Sequence, residues 1–192
     1  MTDPHHHHNS DRINMLDDEG RRKWLRVDDL IKESGVRKGM TCIDLGCGAG
    51  ALSIPLAAAI GKEGTVYAVD ISKEILDRLI SRNPPENVKP VNKGAAETGL
   101  ESAIADYCFI ILVLHEVQPD NTLTEAYRLL KPDGKVIAME WRTDIETMGP
   151  PLNERISPDE LEQLFNRAGF INYKYKDWTK GQYIATGIKD NE

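Results

Sequence analysis

Two carboxylates and three glycines carry the chemistry that can be read most directly from this chain. Asp44 stands two residues before Gly46, and Gly46, Gly48 and Gly50 alternate along the segment Thr41–Gly50. Glycines at that spacing let a backbone turn tightly and approach a ligand closely. Asp70 follows 24 residues after Gly46. A carboxylate there can accept hydrogen bonds from both hydroxyls of a ribose and would repel a ribose that carries a phosphate. Asp44 would repel a pyrophosphate just as strongly. The pair suits an adenosyl ligand that brings positive charge, and S-adenosylmethionine, with an ammonium and a sulfonium, is such a ligand. The bland alternatives are a solvated Asp44 at a strand end and an Asp70 that only neighbours a helix N-cap.

A second set of reactive side chains falls further along. His115 and Glu116 follow an apolar run and can take a proton from a bound molecule, or His115 can simply orient its loop. Glu140, Trp141 and Arg142 follow a later apolar run. Trp141 can wall a pocket, and Arg142 or Arg155 can pair with an acidic acceptor. Loop packing and surface charge are the competing readings for each.

The elements that must position these groups alternate between strand and helix. Strands are expected over 40–45, 65–69, 88–92, 107–112 and 135–139. Helices are expected over 51–60, 72–82 and 122–130, the last with Thr122 and Glu125 as a capping box. The unbroken apolar run 107–112 suits a central parallel strand. Ser157-Pro158-Asp159-Glu160 opens a further helix that ends at Gly169. Residues 171–176 and 182–186 read as a closing hairpin. At the other end, Trp24, Val27, Leu30 and Ile31 space one apolar face of a helix over 17–34, a candidate cap over the ligand pocket. The expected organisation is a flexible arm over 1–16, whose His5–His8 run reads as a tag or a metal-binding arm, followed by one domain over 17–192.

Composition narrows the function. A net charge of −7 lacks the basic footprint of a general nucleic-acid binder. No apolar run is long enough to span a membrane, and no signal-peptide pattern opens the sequence. Cys42, Cys47 and Cys108 fall in or beside expected strands, which suits reduced thiols in a cytoplasmic protein. Apart from the histidine run there is no metal-ligand spacing.

Taken together, Asp44-Leu45-Gly46-Cys47-Gly48-Ala49-Gly50, Val69-Asp70, Asp106 leading into Leu112-Val113-Leu114-His115-Glu116-Val117, and Leu130-Lys131-Pro132-Asp133-Gly134 resemble the class I SAM-dependent methyltransferases. The likeness is to the small-molecule branch that includes the ubiquinone/menaquinone methyltransferases, and it spans residue 24 to the C-terminus. It implies an α/β, Rossmann-like, doubly wound sheet of seven strands, mostly parallel with an antiparallel C-terminal strand. It also implies a cofactor site of Asp44, Gly46, Cys47, Gly48, Gly50, Asp70, Ile71, Ala95, Ala96 and Ile111, and release of S-adenosylhomocysteine. Where the family carries an acid after strand three, this chain has Ala95, so altered adenine contacts are expected. The activity expected is methyl transfer to a small O, N, S or C nucleophile. A SAM-binding sensor or partner subunit without catalysis, and a protein methyltransferase, are the alternatives.

Overall fold

The computed structural model describes residues 19–146 and 148–191; the expected N-terminal arm lies outside them. Two short helices open the described chain, α1 (Glu19–Trp24) and α2 (Val27–Ser34). The single helix expected here is broken because Arg26 adopts a left-handed conformation, φ 51°. The break is held from both sides. Trp178 donates its indole N–H to the Leu25 carbonyl at 2.8 Å, and the Arg26 guanidinium lies over the Trp178 ring at 4.7 Å.

From there strand and helix alternate: β1 (Thr41–Leu45), α3 (Ser53–Ile60), β2 (Thr65–Asp70), α4 (Lys73–Ser81), β3 (Val88–Asn92), β4 (Ala105–Ile111), α5 (Pro119–Leu129), β5 (Leu130–Trp141), α6 (Pro158–Ala168), β6 (Phe170–Asp177) and β7 (Gln182–Lys189). Seven strands form one sheet in the order β3-β2-β1-β4-β5-β7-β6. All neighbours from β3 to β5 are parallel, and β7 runs antiparallel to both β5 and β6. The strand order reverses between β1 and β4, and the carboxyl edge at such a switch point is where open α/β sheets bind ligands. Asp44, Asp70, His115 and Trp141 all sit at or just beyond that edge.

The sheet separates two cores. Leu30, Leu56, Leu79 and Phe109 pack on one face, and Ile43, Leu45, Ile110, Leu123 and Phe165 on the other. Burial on both faces explains the unbroken apolar strands. Helix ends follow local chemistry. Ser72 accepts from the Ile75 amide and Ser157 from the Glu160 amide. Gly169 closes α6 at φ 95°, in the left-handed region that glycine adopts without strain.

The capping box expected at Thr122 and Glu125 is corrected. Helix α5 begins three residues earlier, with Gln118 as N-cap and Pro119 in the first turn. Glu125 instead turns away from the helix start and accepts from both the amide (2.9 Å) and the hydroxyl (2.6 Å) of Thr98, tying α5 to the segment after β3.

Candidate active site

The glycine segment after β1 folds into a loop pinned from below. The amides of Gly46 and Cys47 both donate to the Val69 carbonyl, at 2.8 and 2.9 Å. Gly46 has φ 74°, and a Cβ there would lie 2.4 Å from Val113 Cγ2. Gly50, at φ 86°, faces away from the cavity toward α4, where a Cβ would meet Leu79 Cδ1 at 2.3 Å. The loop therefore needs glycine both for its backbone and for the close approach of β4 and α4.

Asp70 closes the loop from the side. One carboxylate oxygen accepts from the Gly48 amide at 3.0 Å, and the other from the Ser72 amide at 2.9 Å. Each oxygen keeps acceptor capacity for a ligand. Asp44 is 2 % exposed, and the Ser53 hydroxyl donates to it at 2.6 Å. Burial pushes the Asp44 carboxyl up to about 7, the Ser53 hydrogen bond opposes that rise, and Asp70 adds to it. A carboxyl so poised is held ionised by a cation placed beside it. The Cys47 thiol is kept protonated by burial, reinforced by the negative charge of Asp44 and Asp70.

A cavity of about 820 Å³ opens on the carboxyl edge, within the size range of small-molecule sites. Its wall brings together Gly46, Gly48, Asp70, Ile71, Ala95 and Ala96 on one side. Ile111, His115, Glu116 and Trp141 complete it on the other. A small adjoining hollow, sharing Gly46, Gly48 and Ile111 with it, is lined by Asp44 and Cys47. Ile71 is 78 % exposed in the ligand-free chain, a large apolar side chain presented at the mouth of the site.

His115 is the one histidine among the described residues. Its Nδ1 lies 2.7 Å from Glu140 Oε2, and its Nε2 lies 3.5 Å from Glu116 Oε1. Glu140 is completely buried at the end of β5, and its other oxygen accepts from the Leu114 amide at 2.9 Å. Glu140 is placed to accept from Nδ1–H, which leaves Nε2 as the ring nitrogen turned toward Glu116.

Four residues expected at the site lie off the cavity wall. Gly50 packs the loop, and Glu140 stands behind His115. Arg142 is engaged by Asp144 at 2.7 Å and by Asp177. Arg155, 7 % exposed, donates to the carbonyls of Arg142, Ile145, Met148 and Pro150 at 2.5 to 2.9 Å. The expectation that Arg142 or Arg155 pairs with an acidic acceptor is thereby corrected: Arg155 is occupied in building the 142–155 loop, and Arg142 in tying the start of that loop to Asp144 and to Asp177 of β6. Gly149 and Pro150 of that loop do reach the cavity, as does Arg21 from α1. Ser53, Val117, Gln118 and Thr122 were not singled out as site residues by the sequence.

Comparison with known proteins decides the family. A family model described as a methyltransferase domain matches residues 43–138, half of the chain. The chain belongs to the methyltransferase domain family. It is 29 % identical to a demethylmenaquinone methyltransferase of Staphylococcus aureus strain JH9, over 94 % of this chain and 89 % of that protein. Its structure is similar to that of a SAM-dependent methyltransferase from Aquifex aeolicus, with a TM-score of 0.86, 26 % identity, and coverage of 93 % of this chain and 97 % of that one. The fold alone is shared with phosphoethanolamine N-methyltransferase 2 of Haemonchus contortus, at TM-score 0.74 and 17 % identity, over 88 % of this chain and 53 % of that one.

The protein is thus a SAM-dependent methyltransferase, and its site fits the donor. A buried carboxyl that gains from a neighbouring cation, a half-buried one with free acceptor capacity, and a glycine loop with no side chain in the way meet at one cavity. Among the described residues, no cluster of side chains could hold a metal ion, and no helix is long and apolar enough to cross a membrane.

Proposed function

We propose that this methyltransferase transfers the methyl group of S-adenosylmethionine to a small molecule that gives up a proton in the reaction. The observation that carries the reading is the imidazole of His115, on the cavity wall, with Nδ1 fixed by the buried Glu140 carboxylate. Apolar walls from Val117, Trp141, Gly149 and Pro150 suit a compact, partly apolar acceptor. The demethylmenaquinone methyltransferase relative supports a quinone-derived ring as the acceptor class.

The bound donor supplies a methyl group on a sulfonium, already primed to leave. This chain supplies alignment and proton transfer. Asp44 would hold the cationic amino-acid end and Asp70 the ribose, and the loop of Gly46, Cys47 and Gly48 lets the backbone approach between them. Ile71, Ala95 and Ala96 would border the base, and Ile111, beside the Asp44 hollow, would border the amino-acid end. Trp141 positions the acceptor ring. Nε2 of neutral His115 removes the acceptor proton, and Glu140 stabilises the imidazolium that forms. This is the division of labour in any carboxylate-oriented histidine base. Glu116, exposed at the cavity mouth, adds negative charge beside Nε2. Proximity and alignment carry most of the acceleration. The three buried, unpaired cysteines suit a reducing compartment such as the cytoplasm.

The test is methyl transfer from labelled S-adenosylmethionine to 1,4-dihydroxynaphthalene and, separately, to the low-mass and macromolecular fractions of a cell extract. Label should pass into low-mass products. Label confined to protein would contradict the small-molecule reading.

A further inference from the structure

Thr122, in the first turn of α5, is fully buried, lines the main cavity, and has no hydrogen-bond partner for its side-chain oxygen within the protein. Helical threonines commonly turn the hydroxyl back onto the carbonyl four residues earlier. Thr124, two residues further along the same helix, does so, donating to the Asp120 carbonyl at 2.8 Å. A buried hydroxyl left unpaired is costly, so its presence on a ligand cavity points to a partner that arrives with the ligand.

The part of the ligand that it meets follows from the sheet order. Asp44 is the penultimate residue of β1 and Asp70 ends β2, so a donor held by its charged end at β1 and its ribose at β2 extends its base toward β3. There the wall is formed by Ile71, Gly94, Ala95 and Ala96, and Ala95 offers no side-chain hydrogen bond. Helix α5 faces this same segment. Glu125 holds Thr98, and Thr122 lies three residues before Glu125, on the same helix face, as Ala95 lies three before Thr98.

We infer that the Thr122 hydroxyl is the side-chain contact for the purine edge of the bound donor, accepting from its exocyclic amino group. Thr122 thereby favours adenine over a purine that lacks the 6-amino group. The inference rests on the donor assignment, and wild-type protein that fails to bind S-adenosylhomocysteine would overturn that assignment first.

The test is calorimetric titration of wild type, Thr122→Val and Thr122→Ser with S-adenosylhomocysteine and with its counterpart in which hydrogen replaces the 6-amino group, together with thermal melts of the ligand-free proteins. Wild type should bind the amino compound at least fivefold more tightly than the compound without it. Thr122→Val should weaken S-adenosylhomocysteine about five- to tenfold, as expected for one net hydrogen bond. It should leave the compound without the amino group within twofold and erase the preference. Thr122→Ser should keep it. Because valine removes an unpaired buried hydroxyl at nearly constant shape, the ligand-free Thr122→Val protein should melt higher than wild type. Three results would each overturn the inference: a lower melting temperature, unchanged affinity for S-adenosylhomocysteine, or equal losses for both compounds. A lower melting temperature would mean that the hydroxyl is already satisfied inside the fold, and equal losses that it touches another part of the ligand.

Discussion

Replacing Asp44 with Asn should stabilise the ligand-free protein at neutral and alkaline pH while removing its stabilisation by the methyl donor. In the folded chain burial pushes this carboxyl up to about 7, against 3.8 for an unperturbed Asp. Between those values the folded state holds a proton that the unfolded state has lost. Stability is therefore highest below the unfolded value and falls as pH rises through the folded one. A difference of about three pH units at about 1.4 kcal/mol each lowers stability, relative to strongly acid pH, by roughly 4 kcal/mol at pH 8, where Asp44 is ionised, and by roughly 2 kcal/mol at pH 5, where the folded chain still holds its proton. Asn keeps an oxygen for the Ser53 hydroxyl and does not titrate. Urea melts of the two proteins from pH 5 to 8 should therefore diverge, with Asp44→Asn increasingly the more stable. Asp120 and Asp144 are held below the ordinary carboxylate range by Arg167 and Arg142, so their titrations fall outside this window. With saturating S-adenosylmethionine the order should reverse, because only wild type gains the binding free energy. A stability difference that does not change with pH, or an Asp44→Asn protein less stable than wild type at pH 8, would refute the reasoning that makes Asp44 the strained anchor of the cation.

Other substitutions separate the remaining roles. Asp70→Ala should weaken S-adenosylhomocysteine binding by about 1.5–3 kcal/mol in calorimetry, the value of a charge-assisted hydrogen bond. Glu140→Gln should lower kcat at least tenfold with donor affinity unchanged, because its single amide oxygen cannot accept from both the Leu114 amide and His115 Nδ1; steady-state kinetics with the diol reads this directly. Arg155→Lys should raise hydrogen exchange in residues 142–151 and raise KM for the acceptor more than it lowers kcat, since one ammonium cannot serve the four carbonyls that the guanidinium now holds. Gly46→Ala should cost about 1–3 kcal/mol in denaturant melts, the cost of forcing a methyl group against Val113.

The half of the site built from backbone was legible in the sequence, and the half built from side chains was less so. Glycine spacing reports the loop because glycine takes those φ values without strain and alone tolerates Val113 and Leu79 so close. Asp44 and Asp70 report their place because strand ends are fixed by apolar runs. The parallel strands, their order of appearance and the closing antiparallel pair were readable for the same reason. Where tertiary contacts outweighed local pattern, the reading moved. Thr122 and Glu125 match a capping box, but Gln118 and Pro119 start the helix, and burial claims both residues for the cavity and for Thr98. The apolar stripe from Trp24 to Ile31 is continuous, yet Trp178, far along the chain, holds a break at Arg26. Arg142 and Arg155 had the right charge for an acidic acceptor. The path of the loop from 142 to 155, which no local signal encodes, brings carbonyls and carboxylates to them first.

If Asp44 and Asp70 build a site for a cationic adenosyl donor, calorimetric titration of the wild-type protein with S-adenosylmethionine across pH 5.5 to 8.5 should reveal it. Binding should be stoichiometric and tighten as pH rises, by up to about tenfold per unit below about 7, and level off above, as Asp44 ionises. No binding heat at any pH, or an affinity that is flat or falls with rising pH, would contradict it.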